Sequence, residues 1–182
     1  MNDAKNCCCC GQTSAEEEHR TVRLKFYRTQ LLYDIKNYAF VEADVMGEEK
    51  QHAQHVLADI GEEGNVDRVS RILAVVHAGV IELLYPWTEL QAVEEEIDNR
   101  LYAPEEYIVE LHVPADVSRT TMHLLSRLIH EYMVYKVMAD WLSITNPDAA
   151  KNWELKAAEV ETEIASAKST HKGVFERKLS PF

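Results

Sequence analysis

Between Pro114 and Pro147 runs ADVSRTTMHLLSRLIHEYMVYKVMADWLSITN, a segment that neither proline allows to continue as helix and that carries apolar residues around nearly its whole circumference. Leu124, Leu125, Leu128, Ile129, Tyr132, Met133, Val137, Met138, Trp141, Leu142 and Ile144 leave only narrow polar breaks. A helix apolar on most sides must be covered on most sides, so the segment predicts a central helix starting near Asp116 or Ser118, with other helices around it. Arg127 with Glu131 and Lys136 with Asp140 are opposite charges four apart on that helix. His130 and Glu131 read as a paired, partly buried polar spot, because LIHEYMV lacks the second histidine of a zinc-protease helix.

The flanks supply the cover. Asn146 and Pro147 suit the cap and first turn of a last helix, whose Ala150, Trp153, Ala157, Val160, Ile164 and Ala167 recur by threes and fours as one narrow seam. Upstream, Ser14 and Glu17 form a capping box, and Leu24, Tyr27, Leu31, Ile35, Tyr38 and Val41 continue at helical spacing, predicting a long first helix over residues 15–46. EEKQHAQHVLADIG predicts a short second helix stopped at Gly61. Asn65 caps a third, running to Pro86, which is apolar on most faces and so predicted to be buried. Thr88 with Gln91 opens a fourth that buries Leu90, Val93, Ile97 and Leu101 and stops at Pro104.

Only EYIVELHVP reads as a strand, with Tyr107, Val109, Leu111 and Val113 on one side and Ile108, Glu110 and His112 on the other. A lone strand leaves backbone groups unpaired, and the other alternating segment is the tail around Val174 to Leu179. The strand and tail are expected to pair, either between neighbouring chains or within one. The fold class is therefore mainly α: about five or six helices in one bundle over residues 15–169, a short strand near 106–113, and an extended C-terminal arm over 170–182. Residues 1–14 form a separate leader, disordered in expectation. Its four cysteines, Cys7 to Cys10, are too close together to staple distant parts of a fold. They read as oxidisable thiols, with Cys7 and Cys10 as the weaker zinc alternative.

Charge narrows the function classes. Asp and Glu number 31 against 19 Lys and Arg, a net charge of -12 that repels phosphate backbones and anionic lipid at range. The longest apolar run, ILAVVHAGVIELLY, falls short of the roughly 18 residues a membrane span needs. With no apolar leader at the start, a soluble intracellular product is expected. No phosphate-cradling glycine loop or nucleophile elbow occurs, so a non-enzymatic role with no cofactor is expected. The one constellation that competes is GEEKQHAQH, where Glu48, His52 and His55 fall on one helical face and offer three ligands to zinc or iron.

From Tyr107 onward, the order of strand, LIHEYMV-x-x-VMADWLSIT helix, W-x-x-KA-x-E-x-E-x-EI helix and SPF ending resembles a family of small proteins encoded in tailed phages and prophages of Bacteroides-type gut bacteria. The arrangement is also similar to head–tail connector (adaptor) proteins of tailed phages. The resemblance implies a virion neck subunit, assembled in the host cytoplasm into a ring of identical copies and docked on the portal or adjacent neck or tail proteins. It implies a lumen through which DNA passes without specific binding. The arm residues Lys172, Val174, Phe175, Arg177, Lys178, Leu179 and Phe182, with Tyr107, Val109 and Leu111 of the strand, are the expected partner-binding set. The alternatives are the metal-binding enzyme and a prophage-encoded regulator that acts on the host.

Overall fold

The computed structural model describes residues 19–46, 51–88, 100 and 103–169. Elements follow in the order β1 (His19–Tyr27), α1 (Arg28–Val45), α2 (Gln51–Ala58), a 3-10 turn (Asp59–Gly61), α3 (Glu63–Leu83), β2 (Glu106–Pro114), α4 (Arg119–Thr145) and α5 (Pro147–Ser169). The fold is mainly helical, with five α-helices and one two-stranded antiparallel sheet among the described residues. Among the described residues no helix is long and apolar enough to cross a membrane.

α4 is the centre, as its composition requires. Ser118 caps it, accepting a hydrogen bond from the Thr121 amide at 3.0 Å. Met122, Leu125, Ile129, Met133, Val137 and Leu142 are all buried, and α1, α2, α3 and α5 pack against different sides. Asn146 is the only residue between α4 and α5, so the two form a tight antiparallel hairpin. Every predicted seam residue of α5, from Ala150 to Ala167, is buried. At the seam's far end Lys168 Nζ donates to the carbonyls of Leu83 and Tyr85 at 2.8 and 2.9 Å, closing the C-terminus of α3, where unpaired carbonyls favour a cation.

The N-terminal half corrects the sequence reading. No single helix covers residues 15–46: its described part, from His19, is a nine-residue strand followed directly by α1. Val22, Leu24 and Phe26 alternate with Arg23, Lys25 and Tyr27, and this period of two places Leu24 and Phe26 in the core. β1 is also the partner of β2, with Leu24 opposite Val109 and Val22 opposite Leu111. The strand near 106–113 therefore pairs within its own chain, and the tail expected to pair with it lies outside the described residues.

α3 departs in two ways. It begins at Glu63, with Asn65 inside the helix donating its side-chain amide to the Asp59 carbonyl at 2.7 Å. It is buried on one side only, through Val69, Ser70, Leu73 and Val80, while Val75 is 73% exposed. The cause is position: α3 lies on the outside of α4 and meets a neighbour along one stripe. The fourth predicted helix falls mostly outside the described residues. Of its start, Thr88 is buried and donates to the Ile81 carbonyl at 2.6 Å.

Candidate functional site

β1 and α1 meet α4 along a groove that runs from Arg119 to Val134, three successive depressions with shared walls. It arises because β1 turns directly into α1, so strand and helix follow the same side of α4 one after the other. Helical spacing then brings Arg119, His123, Ser126, Arg127, His130 and Glu131 onto one stripe.

In the middle depression, a cavity of about 390 Å³, His130 Nε2 donates to Asp34 Oδ2 at 2.8 Å. Gln30, one turn earlier on α1, donates its amide to the same oxygen at 3.1 Å. Both partners are about three-quarters covered. A carboxylate bound to Nε2–H selects the tautomer and leaves Nδ1 as the acceptor, which is how an imidazole is oriented for proton exchange. The sequence marks His130 as a paired polar spot. The partner, however, is Asp34 on another helix, while Glu131 beside it is exposed.

The neighbouring depression toward the strand, about 460 Å³, is cationic. Arg20 donates to the Val117 carbonyl, and Arg119 Nε donates to His123 Nε2 at 3.3 Å. Across the outer face of the sheet Arg23 pairs with Glu110 at 3.0 Å and Lys25 with Glu106 at 2.8 Å. The Glu106 carboxylate, first by its hydrogen bond and then by its charge, holds the Lys25 ammonium above its ordinary pKa. Behind the groove, burial is the main cause that pushes the phenols of Tyr132 and Tyr135 up to about 12. Tyr132 donates toward Glu161 at 3.4 Å, and Tyr135 lies edge-on to Tyr38.

The outward face of α1 forms a second feature. Tyr33, Lys36, Asn37, Phe40, Val41 and Asp44 recur by threes and fours and are all exposed. Tyr33, Phe40, Val41 and the adjoining Val45 are 60%, 68%, 57% and 79% exposed, an apolar patch on a helix whose other side is already buried.

The expected partner-binding residues separate. Lys172, Val174, Phe175, Arg177, Lys178, Leu179 and Phe182 lie outside the described residues, as do Cys7 to Cys10. Tyr107, Val109 and Leu111 point into the chain's own core at 2%, 0% and 0% exposure. Among the described residues the open edge of the sheet therefore belongs to β1, not to the strand the sequence singled out. His52 and His55 are exposed on α2, and Glu48 is outside the described residues. Among the described residues, no group of three potential ligands is close enough to hold a metal ion. Sequence reasoning missed Asp34, Arg20 and Arg119; only the strand alternation of residues 22–26 would have placed Arg20 beside the central helix.

In comparisons with known proteins, no family model, curated protein or solved structure matches this chain.

Proposed function

We propose that this chain is a non-enzymatic assembly subunit that acts by docking, the role its resemblance to neck and head–tail connector proteins of tailed phages implies. One observation carries the reading: the outward face of α1 holds Tyr33, Phe40 and Val41 in water although the core beneath it is closed. Its occupant is a second copy of this chain. Lys36 and Asp44 are the charges on that face and cancel, so on a chain of net charge -12 two copies can approach there without like-charge repulsion from the face itself. The remaining acidic surface supports passage of DNA through a ring, because it repels the phosphate backbone. The C-terminal arm is assigned the contact with portal or adjacent neck and tail proteins.

Light scattering of the purified chain, with mass spectrometry of particles from the encoding phage, tests this. An oligomer that Phe40→Asp reduces to a monomer of unchanged helicity is the expected result, as is a fixed copy number in particles. Removal of Lys172–Phe182 should leave a folded helical chain that no longer joins particles. A monomeric parent chain absent from particles overturns the reading.

The oriented His130–Asp34 pair favours a second reading, in which the cleft takes a small molecule that exchanges a proton with His130. Nuclear magnetic resonance of the His130 ring during a small-molecule screen decides it: a ring signal that no compound moves removes it.

A further inference from the structure

Among the described residues one edge of β1 carries no further strand, and the hydrogen bonds of β2 show which of its residues face outward. His112 donates its amide to the Trp87 carbonyl at 2.6 Å, and the Ile108 carbonyl meets His77 Nε2 at 3.0 Å. Ile108 and His112 thus turn their backbone groups away from β1, and the alternation of an antiparallel ladder places Glu110 with them. Their register partners on β1 are Lys25, Thr21 and Arg23. In such non-hydrogen-bonded pairs both residues face outward, so Thr21, Arg23 and Lys25 direct N–H and C=O away from the sheet. Among the described residues no backbone group meets these amides. β2 is covered on its outer side by Trp87 and His77, whereas β1 presents a row of groups that no described residue pairs.

The surroundings of that edge specify a ligand. Val22, Leu24 and Met122 make an apolar floor, with Arg20 and Arg119 at the rim. Among the described residues no carboxylate pairs with either arginine, and Arg127 lies about two turns beyond Arg119 along α4. A cationic groove beside an open strand edge is an exception on a chain of net charge -12.

We infer that the outer edge of β1 takes an extended acidic peptide segment of another protein as a third strand. Main-chain hydrogen bonds to Thr21, Arg23 and Lys25 hold it, alternate side chains sit over Val22 and Leu24, and its carboxylates meet Arg20 and Arg119. Other occupants fit less well. A second β1 laid antiparallel on the first brings Arg23 and Lys25 near their own copies. The chain's tail carries His171, Lys172, Arg177 and Lys178, the same sign as the groove. A nucleic acid offers no backbone N–H to the edge carbonyls, which repel phosphate. This surface is distinct from the outward face of α1, so the inference stands apart from the oligomer reading.

The test uses the full chain at low ionic strength with the fluorescent heptapeptide Glu-Thr-Val-Thr-Val-Thr-Glu, which puts glutamate and valine on one face of a strand. Its controls are the same peptide N-methylated at every internal residue, a version with lysine for glutamate, and oligothymidine. The glutamate peptide should bind, with affinity about tenfold weaker for the N-methylated form and about tenfold weaker for Arg119→Glu, tenfold being 1.4 kcal/mol. Hydrogen exchange at the amides of Thr21, Arg23 and Lys25 should slow when the peptide is added, a readout independent of any variant. Equal affinity for the N-methylated peptide reduces the site to charge alone and overturns strand addition. So does no binding, or oligothymidine binding that Arg119→Glu abolishes. Amides already protected in the free chain also overturn it, because a segment of the chain itself then occupies the edge. None of these outcomes alters the mass measured for the Phe40→Asp test, so failure here and failure of the assembly reading are separable.

Discussion

The α4–α5 hairpin and the β1–β2 sheet solve the same problem, burying one apolar face, at opposite ends of chain separation. α5 leaves α4 through one residue and lays Ala150, Trp153, Ala157, Val160, Ile164 and Ala167 against it, every seam position buried. The sheet joins positions as far apart as His19 and Pro114, buries one face through Leu24, Phe26, Val109 and Leu111, and among the described residues leaves its other face and one edge uncovered. Local contacts form with little loop entropy, whereas the sheet must wait until α1, α2 and α3 have brought its strands together. The hairpin therefore serves as scaffold. The sheet is accordingly predicted to open at lower free energy than the hairpin, with exposed backbone available for recognition.

That difference can be broken most forcefully on the hairpin. Trp153 is 2% exposed and donates Nε1 to Glu42 at 3.0 Å, with the rings of Tyr38 and Tyr135 at 5.1 and 5.4 Å. It thus ties α5 to α1 as well as to α4. Trp153→Ala should cost about 3–5 kcal/mol in urea unfolding followed by circular dichroism. A loss under about 1 kcal/mol would mean that the seam is not the scaffold.

Leu111 is as buried as any residue of the hairpin, yet its neighbours across the sheet can move toward the open face. Leu111→Ala should therefore cost about 2–3 kcal/mol, at the lower end of such deletions. Native-state hydrogen exchange sharpens the contrast without a mutation. Amides of Leu24 and Val109 should exchange through a partial opening, while those of Ile129, Met133 and Val137 should wait for global unfolding. One common opening free energy for both sets would erase the distinction.

The same contrast decides what was legible in the sequence. α4 and α5 carry their periodicity, caps and bounding prolines within one continuous stretch, so the central helix and the seam were readable residue by residue. β1 was not, because Leu24, Tyr27 and Leu31 satisfy helical spacing as well as Val22, Leu24 and Phe26 satisfy alternation. No glycine or proline marks the change at Tyr27 and Arg28. A strand's partner is also invisible to periodicity, so nothing in the sequence points to β1 as the companion of β2, while the tail expected there lies outside the described residues; Tyr107, Val109 and Leu111, expected at an interface, face the core. For the same reason His130 was recognised as a paired group, while Asp34, 96 positions away, was not. α3 shows the converse: an apolar circumference did not secure cover on every side, because among the described residues its burial runs along one stripe, chiefly against α4 and the 3-10 turn.

The smallest effect concerns the join between the two regions. His77 reaches from α3 to the Ile108 carbonyl at 3.0 Å, and its ring lies 5.4 Å from that of Tyr107, so α3 touches the sheet's outer edge through one imidazole. Burial holds its pKa below the ordinary 6.5, with the hydrogen bond to Ile108 opposing in part. In the unfolded chain His77 has its ordinary pKa, so on acidification the unfolded state takes up the proton first. The stability tied to its neutral form is therefore present above about pH 6.5 and is lost as the pH falls toward the lowered native value. His77→Gln keeps an N–H donor and removes the titration. Urea midpoints at pH 8 and pH 5.5 should fall farther for the parent chain than for the variant, the other histidines and carboxylates being common to both. Equal falls would show that His77 is already charged in the native state. The contact between α3 and β2 would then be a solvated hydrogen bond, leaving the sheet less firmly tied to the helices than its buried face implies.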